Sequence, residues 1–210
     1  MIDAVIFDMD GVLVDSEPVY FRRQIRFMQE NDVIPATTNI QDYVGKSSDV
    51  VWATAIPDER DRQRVQEAYE IYASSHPMNY PEIITPGVTE LMHFLKDSGY
   101  KTALASAGPI DGIEIMLETT HLKPYFDSVI SGETIEHNKP DPQIYLQSLA
   151  KLGVAADHSV AMEDSFTGIT AAHRAGMQAW ALRPTAYTLD QSHADLIVDS
   201  MAEVQRRLTR

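Results

Sequence analysis

Apolar and polar positions follow one rhythm up to about position 82 and another beyond it. The opening run Ala4-Val5-Ile6-Phe7 is apolar on both faces, as a strand inside a parallel sheet is. From Glu17 to Glu30 the spacing becomes helical, with Phe21, Ile25 and Met28 on one side. Val50, Trp52 and Ile56 belong to a second helix. Pro57-Asp58-Glu59 opens a third that runs to about Ser74, with acids placed to suit its dipole. No strand pattern occurs between about 16 and 82, and a proline-rich stretch from His76-Pro77 to Pro86-Gly87 closes this part as a linker.

Beyond it strands and helices alternate. Val88, Leu91, Met92 and Leu95 mark an amphipathic helix stopped by Gly99, and Thr102 to Ala105 a strand. Ile110 to Glu118 reads as helix, Ser128 to Ser131 as strand, Gln143 to Leu152 as helix and Ser159 to Met162 as strand. Ile169 to Ala175 is helical, Ala179 to Leu182 and Leu196 to Val198 are strands, and Met201 to Leu208 is the last helix. This rhythm predicts an α/β fold, a Rossmann-like doubly wound parallel sheet with helices on both faces. An all-helical insert over 16–82 splits the first strand from the rest, so the expected domains are a core of 1–15 and 83–210 and a small helical cap.

Composition narrows the classes of chemistry. The chain carries 31 acidic and 17 basic side chains for a net charge of −14, and has no cysteine. A disulfide framework, a thiolate metal site and a cysteine nucleophile are excluded. The acidic balance speaks against nucleic-acid binding, which needs basic stripes. Met1 to Phe7 is too short, and too broken by Asp3, for a signal peptide, and no run approaches a membrane span. The expected setting is the cytoplasm, without a membrane partner, as a monomer or weak dimer.

In open parallel sheets the reactive groups gather beyond the carboxyl ends of the strands. The first strand ends in Asp8-Met9-Asp10-Gly11, the second in Ser106-Ala107-Gly108, and the next leads within a few residues to Asn138-Lys139-Pro140. The fourth ends in Glu163-Asp164-Ser165. Taken singly, each is an ordinary turn residue, helix cap or surface charge. Together at four successive strand ends they suit phosphoryl transfer. A carboxylate can attack phosphorus, and carboxylate oxygens can hold a hard divalent cation. A serine hydroxyl and a lysine ammonium can hold the non-bridging oxygens, and a second aspartate can move the proton.

The stretch Asp8-Met9-Asp10-Gly11-Val12-Leu13-Val14-Asp15-Ser16-Glu17-Pro18 resembles the first motif of the haloacid dehalogenase superfamily, in its phosphatase and β-phosphoglucomutase-like branch. Ser106, Lys139-Pro140-Asp141-Pro142 and Glu163-Asp164-Ser165-Phe166-Thr167-Gly168-Ile169 resemble its second, third and fourth motifs, in order, over nearly the whole chain. The resemblance implies a Mg²⁺-dependent phosphatase acting on a small phosphorylated metabolite. It implies Asp8 as nucleophile and Asp10 as acid and base, with the Asp10 backbone carbonyl also on the metal. Asp8 and Asp164 would be metal ligands with Glu163 beside them. Ser106 and Lys139 would bind the transferring phosphate, Lys139 also restraining the Asp8 charge.

Departures within the branch sharpen this. The founding dehalogenases and the phosphonoacetaldehyde hydrolases lack an acid at the position of Asp10, which counts against both chemistries. Val44-Gly45-Lys46-Ser47-Ser48 is not a P-loop, since Ile40 stands where a glycine is needed. It is the expected substrate loop of the cap, with Gly45 allowing close approach and Lys46 or Ser47 touching substrate. Mutases of the branch place a cap histidine where Tyr20 stands, and an arginine near Ser47-Ser48. These differences favour hydrolysis of a sugar phosphate-like monoester over a β-phosphoglucomutase-type reaction. Tyr20, Gly45, Lys46, Ser47 and Ala107 are the expected substrate-binding residues. A non-catalytic binding protein of the same fold is the remaining alternative, and it would have no use for the second aspartate.

Overall fold

A computed structural model describes residues 1–209. Six parallel strands form one sheet: β1 (Ala4–Phe7), β2 (Lys101–Ser106), β3 (Ser128–Ser131), β4 (Ser159–Glu163), β5 (Gln178–Leu182) and β6 (Leu196–Val198). Their spatial order is β3-β2-β1-β4-β5-β6. β1 is thus interior, paired with β2 on one side and β4 on the other, and its four residues are fully buried. That position explains its unbroken apolar run.

The helices, in chain order, are α1 (Glu17–Glu30), α2 (Ser48–Ala55), α3 (Glu59–Ser75), α4 (Tyr80–Ile83), α5 (Val88–Asp97), α6 (Ile110–Thr119), α7 (Gln143–Leu152), α8 (Phe166–Arg174) and α9 (Met201–Leu208). Ile144, Tyr145 and Leu149 of α7 and Ile169, Ala171 and Ala172 of α8 cover the sheet face shown by Ile6, Ala103, Ala105, Ile130 and Ala161. The small side chains on the strands let these helices approach closely. Helices α5, α6 and α9 pack against β2, β3 and β6. Among the described residues no helix is long and apolar enough to cross a membrane.

The chain divides into two compact units. The sheet unit comprises Met1–Asp15, Tyr80–Pro184 and the chain from Leu189 onward. The helical unit comprises Ser16–Asn79 and the short segment Thr185–Thr188. Its core joins Phe27 and Met28 of α1, Tyr43 from the segment between α1 and α2, Val51 and Trp52 of α2, and Val65 and Tyr69 of α3. Tyr69 meets Phe27 and Trp52 edge to face at 5.4 and 5.0 Å, a favoured arrangement for aromatic quadrupoles.

Two details differ from the expectation of a continuous insert over 16–82. Tyr80–Ile83 is a helical turn rather than linker, and it belongs with the sheet because Asp15 N donates to Ile83 O at 2.8 Å and Thr85 N to Leu13 O at 2.9 Å. Thr185–Thr188, on the connection from β5 to β6, joins the helical unit through Gln41. Gln41 Nε2 donates to Thr188 O at 3.1 Å, while its Oε1 accepts from Thr188 N at 2.9 Å and Thr188 Oγ1 at 2.8 Å.

Candidate active site

The strand order reverses between β1 and β4, and the crevice beyond strand ends at such a reversal is where open α/β sheets place their ligands. Phe7 pairs with Met162 there, and Asp8 N donates to Met162 O at 2.9 Å. The first residue past β1 is therefore held level with the last residues of β4. The chain then turns tightly, with Gly11 N donating to Val14 O at 2.8 Å and Asp10 half-buried within the turn. Gly11 has φ +75°, and a Cβ there would stand 2.0 Å from Asp164 Oδ2. Only glycine lets the backbone pass so close to that carboxylate.

Four of the expected residues meet in one buried cluster. Lys139 Nζ donates to Asp8 Oδ1 at 2.9 Å, Glu163 Oε1 at 2.7 Å and Ala105 O at 3.0 Å. An ammonium has three N–H donors, so all three are engaged by the chain. Of the two roles expected for Lys139, these bonds belong to the restraint of Asp8. Glu163 is fully buried at the end of β4, and Asp164 nearly so. Carboxylate oxygens of Asp8, Glu163 and Asp164 lie within 4.8 Å of one another. Such a set of hard oxygen donors suits a divalent cation of the Mg²⁺ type.

The electrostatics follow from burial. Desolvation pushes the Asp8 carboxyl up to about 7, with Lys139 pulling the other way and Glu163 and Asp10 adding to the rise. Burial works against the Lys139 ammonium, but Asp8 and Glu163 outweigh it and hold Lys139 well above its ordinary value. At neutral pH the cluster thus keeps its cation, and the Asp8 carboxyl gives up its proton far less readily than an exposed aspartate does.

Ser106 closes β2 beside this cluster and is buried. Its Oγ accepts from Gly108 N at 3.1 Å, which directs its own proton away from that amide. Ala107 is exposed next to it. Glu133 Oε2 accepts from Ile110 N and Ser131 Oγ donates to Gly108 O at 2.7 Å, so the whole turn is tied down. Tyr20, Gly45, Lys46 and Ser47 lie in the helical unit. There Gly45 N donates to Glu17 Oε1 at 3.3 Å, Lys46 Nζ donates to Asp42 O at 2.6 Å, and Ser47 precedes α2 in extended conformation.

Sequence reasoning missed three supports of the cluster. Tyr145, on the apolar face of α7, donates its hydroxyl to Glu163 Oε1 at 2.5 Å. Gln191 is buried and donates to Asp164 O at 2.8 Å and Leu182 O at 2.7 Å. Gly168, in the first turn of α8, faces the Glu163 carboxylate so closely that a Cβ would stand 2.0 Å from its carbon and both oxygens. The buried face of α7 carries two polar residues, Tyr145 and Ser148, and the sequence pattern does not tell which of them meets the site.

Comparison with known proteins agrees with this geometry. Residues 5–182 match the family model described as haloacid dehalogenase-like hydrolase. The chain is 36% identical over 186 residues to hexitol phosphatase B of Escherichia coli, covering 84% of this chain and 81% of that one. It is 33% identical over 188 residues to a phosphorylated carbohydrates phosphatase of Thermotoga maritima, covering 84% and 82%. Its fold is similar to the crystal structure of a predicted phosphoglycolate phosphatase from Haemophilus somnus, with a TM-score of 0.83 at 23% identity over 100% of this chain and 98% of that one.

Proposed function

This chain belongs to the haloacid dehalogenase-like hydrolase family, and we propose that within it the chain is a Mg²⁺-dependent phosphatase of a small, sugar phosphate-like monoester in the cytoplasm. The observation that carries the reading is the buried junction of Asp8, Lys139, Glu163 and Asp164 at the reversal between β1 and β4. Phosphatases of phosphorylated carbohydrates among the relatives support the substrate class.

In the proposed reaction Asp8 attacks phosphorus through the oxygen that Lys139 does not hold. The bond from phosphorus to the ester oxygen breaks, and Asp10 gives that oxygen its proton. Asp10 then takes a proton from water as the water attacks the aspartyl-phosphate, which releases inorganic phosphate and restores Asp8. Ser106 donates its hydroxyl proton to a non-bridging oxygen, and Lys139 holds Asp8 Oδ1, a carboxylate oxygen before the attack and the carbonyl oxygen of the aspartyl-phosphate after it. Asp8, Asp164 and the backbone carbonyl of Asp10 would hold Mg²⁺ with Glu163 beside them, and the cation supplies neutralisation of the phosphoryl charge.

The alternative, a phosphosugar mutase, has less support. Tyr20 and Ser47-Ser48 offer no cation for the distal phosphate that a mutase must hold. The test is phosphate release from p-nitrophenyl phosphate and from a panel of sugar phosphates, with and without Mg²⁺. Release that needs Mg²⁺ and vanishes in Asp8→Asn is the expected result. Full activity in Asp8→Asn, or conversion of a sugar 1-phosphate to its 6-phosphate with little free phosphate, overturns the proposal.

A further inference from the structure

We propose that Glu163 acts in this site as the buried anchor of Lys139 rather than as a ligand of the metal, and that Tyr145 is the positioning residue that fixes it in that role. The inference rests on the phosphatase reading and refines it.

Proximity alone would make Glu163 a metal ligand, since its carboxylate lies with those of Asp8 and Asp164. Its hydrogen bonds argue otherwise. Oε1 accepts from Lys139 Nζ at 2.7 Å and from Tyr145 Oη at 2.5 Å. Oε2 faces Ser165 Oγ and Asp164 N, each at 3.3 Å. A carboxylate offers about four lone-pair sites, and four chain donors address them. Binding a cation would displace at least one of these donors, two of which are the short bonds on Oε1.

The side chain is also closely enclosed. It is fully buried, and the Gly168 backbone passes so near that a Cβ at that position would strike its carboxyl group. Ser165 caps α8 by accepting from Gly168 N at 3.1 Å, so the anion lies at the first turn of a helix, where the dipole favours negative charge. The arrangement runs in one line from Tyr145 through Glu163 and Lys139 to Asp8. The ring of Tyr145 also lies under the ammonium, 5.1 Å from Nζ to its centroid. Tyr145 therefore touches both ends of the Glu163–Lys139 pair without reaching the reacting atoms.

The experiment combines Mg²⁺ titration calorimetry with steady-state kinetics on wild type, Glu163→Gln, Asp164→Asn, Tyr145→Phe and the double variant Tyr145→Phe/Glu163→Gln. Asp164→Asn should weaken Mg²⁺ at least about tenfold, while Glu163→Gln should leave its Kd within about threefold, since only the former loses an ionic ligand. Tyr145→Phe, which keeps the ring, should lower kcat by about tenfold with little change in KM, because a hydrogen bond to a charged group is lost away from the substrate. The double variant should be no slower than Glu163→Gln alone, as residues acting through one another are not additive. A Glu163→Gln protein that binds Mg²⁺ as poorly as Asp164→Asn overturns the anchor role, and additive losses in the double variant overturn the role of Tyr145. Wild type that binds Mg²⁺ but hydrolyses no phosphate ester refutes the phosphatase reading instead, and the Glu163 comparison still stands on calorimetry. Wild type that binds no Mg²⁺ overturns both.

Discussion

Gly168→Ala sets two effects against each other, and the structure decides between them. Alanine is the better helix former, worth up to about 1 kcal/mol over glycine within a helix. Against this, the new Cβ would stand 2.0 Å from the Glu163 carboxyl carbon, where ordinary contact begins at 3.4 Å. Glu163 cannot swing into solvent, so it must leave Lys139 and Tyr145 or α8 must lift from its place. Breaking a buried ionic pair typically costs about 3–5 kcal/mol, which leaves a net loss of about 2–4 kcal/mol. For a chain of this size that corresponds to a Tm lower by roughly 4–16 °C. Thermal unfolding by circular dichroism, in chelator to remove metal effects, reads it directly. Gly112→Ala is the matched control: it too is the third residue of a helix, and its Cβ would meet nothing closer than Tyr80 Oη at 3.7 Å. It should hold or raise the Tm. A Gly168→Ala protein as stable as Gly112→Ala would show that the Glu163 carboxylate is not confined as described.

Two further outcomes follow from the same geometry. Because burial raises the folded Asp8 carboxyl from its ordinary value near 4 to about 7, its contribution to stability is fully present below pH 4 and is lost as pH rises through about 7. In chelator, the Tm of Asp8→Asn relative to wild type should therefore climb between pH 4 and 8, and a flat difference would refute the claim that burial of Asp8 outweighs its pairing with Lys139. Gln41→Ala removes the three hydrogen bonds that hold Thr188, so hydrogen exchange at the Thr188 amide should speed up by about tenfold or more while amides of β4 and β5 stay protected. Unchanged exchange at Thr188 would refute that hold.

What the sequence made legible was whatever depends on short-range pattern. β1 and β4 read as strands because their neighbours leave no face in water, and Asp8, Ser106 and Glu163-Asp164 stood out as the polar residues that end such runs. Other features depend on partners far along the chain. Tyr145 meets Glu163 across 18 residues, and nothing in the Ile144–Leu149 pattern requires its hydroxyl to find an acid. Gln191 sits in a polar loop, yet it is buried because two carbonyls from different strand ends converge on it. Tyr80–Ile83 was hidden by its brevity and by Pro81, which breaks any periodic signal while fitting the first turn of a helix. The acid pair after β4 looked like one functional unit, but Glu163 lies inside the strand and points into the core, whereas Asp164 follows it beside Gly11.

The hold of Gln41 on Thr188 makes the helical unit discontinuous in the gene. Sixty-four of its residues are consecutive, from Ser16 to Asn79, but four more are encoded over a hundred codons later, between β5 and β6. Transplanting only the long stretch onto the sheet of a relative would leave the Gln41 side chain facing a foreign loop. Exchange of this unit between family members, in the laboratory or by recombination, therefore needs two cuts at each of two sites, and a chimera made with one pair of cuts inherits a mismatch at the β5–β6 connection.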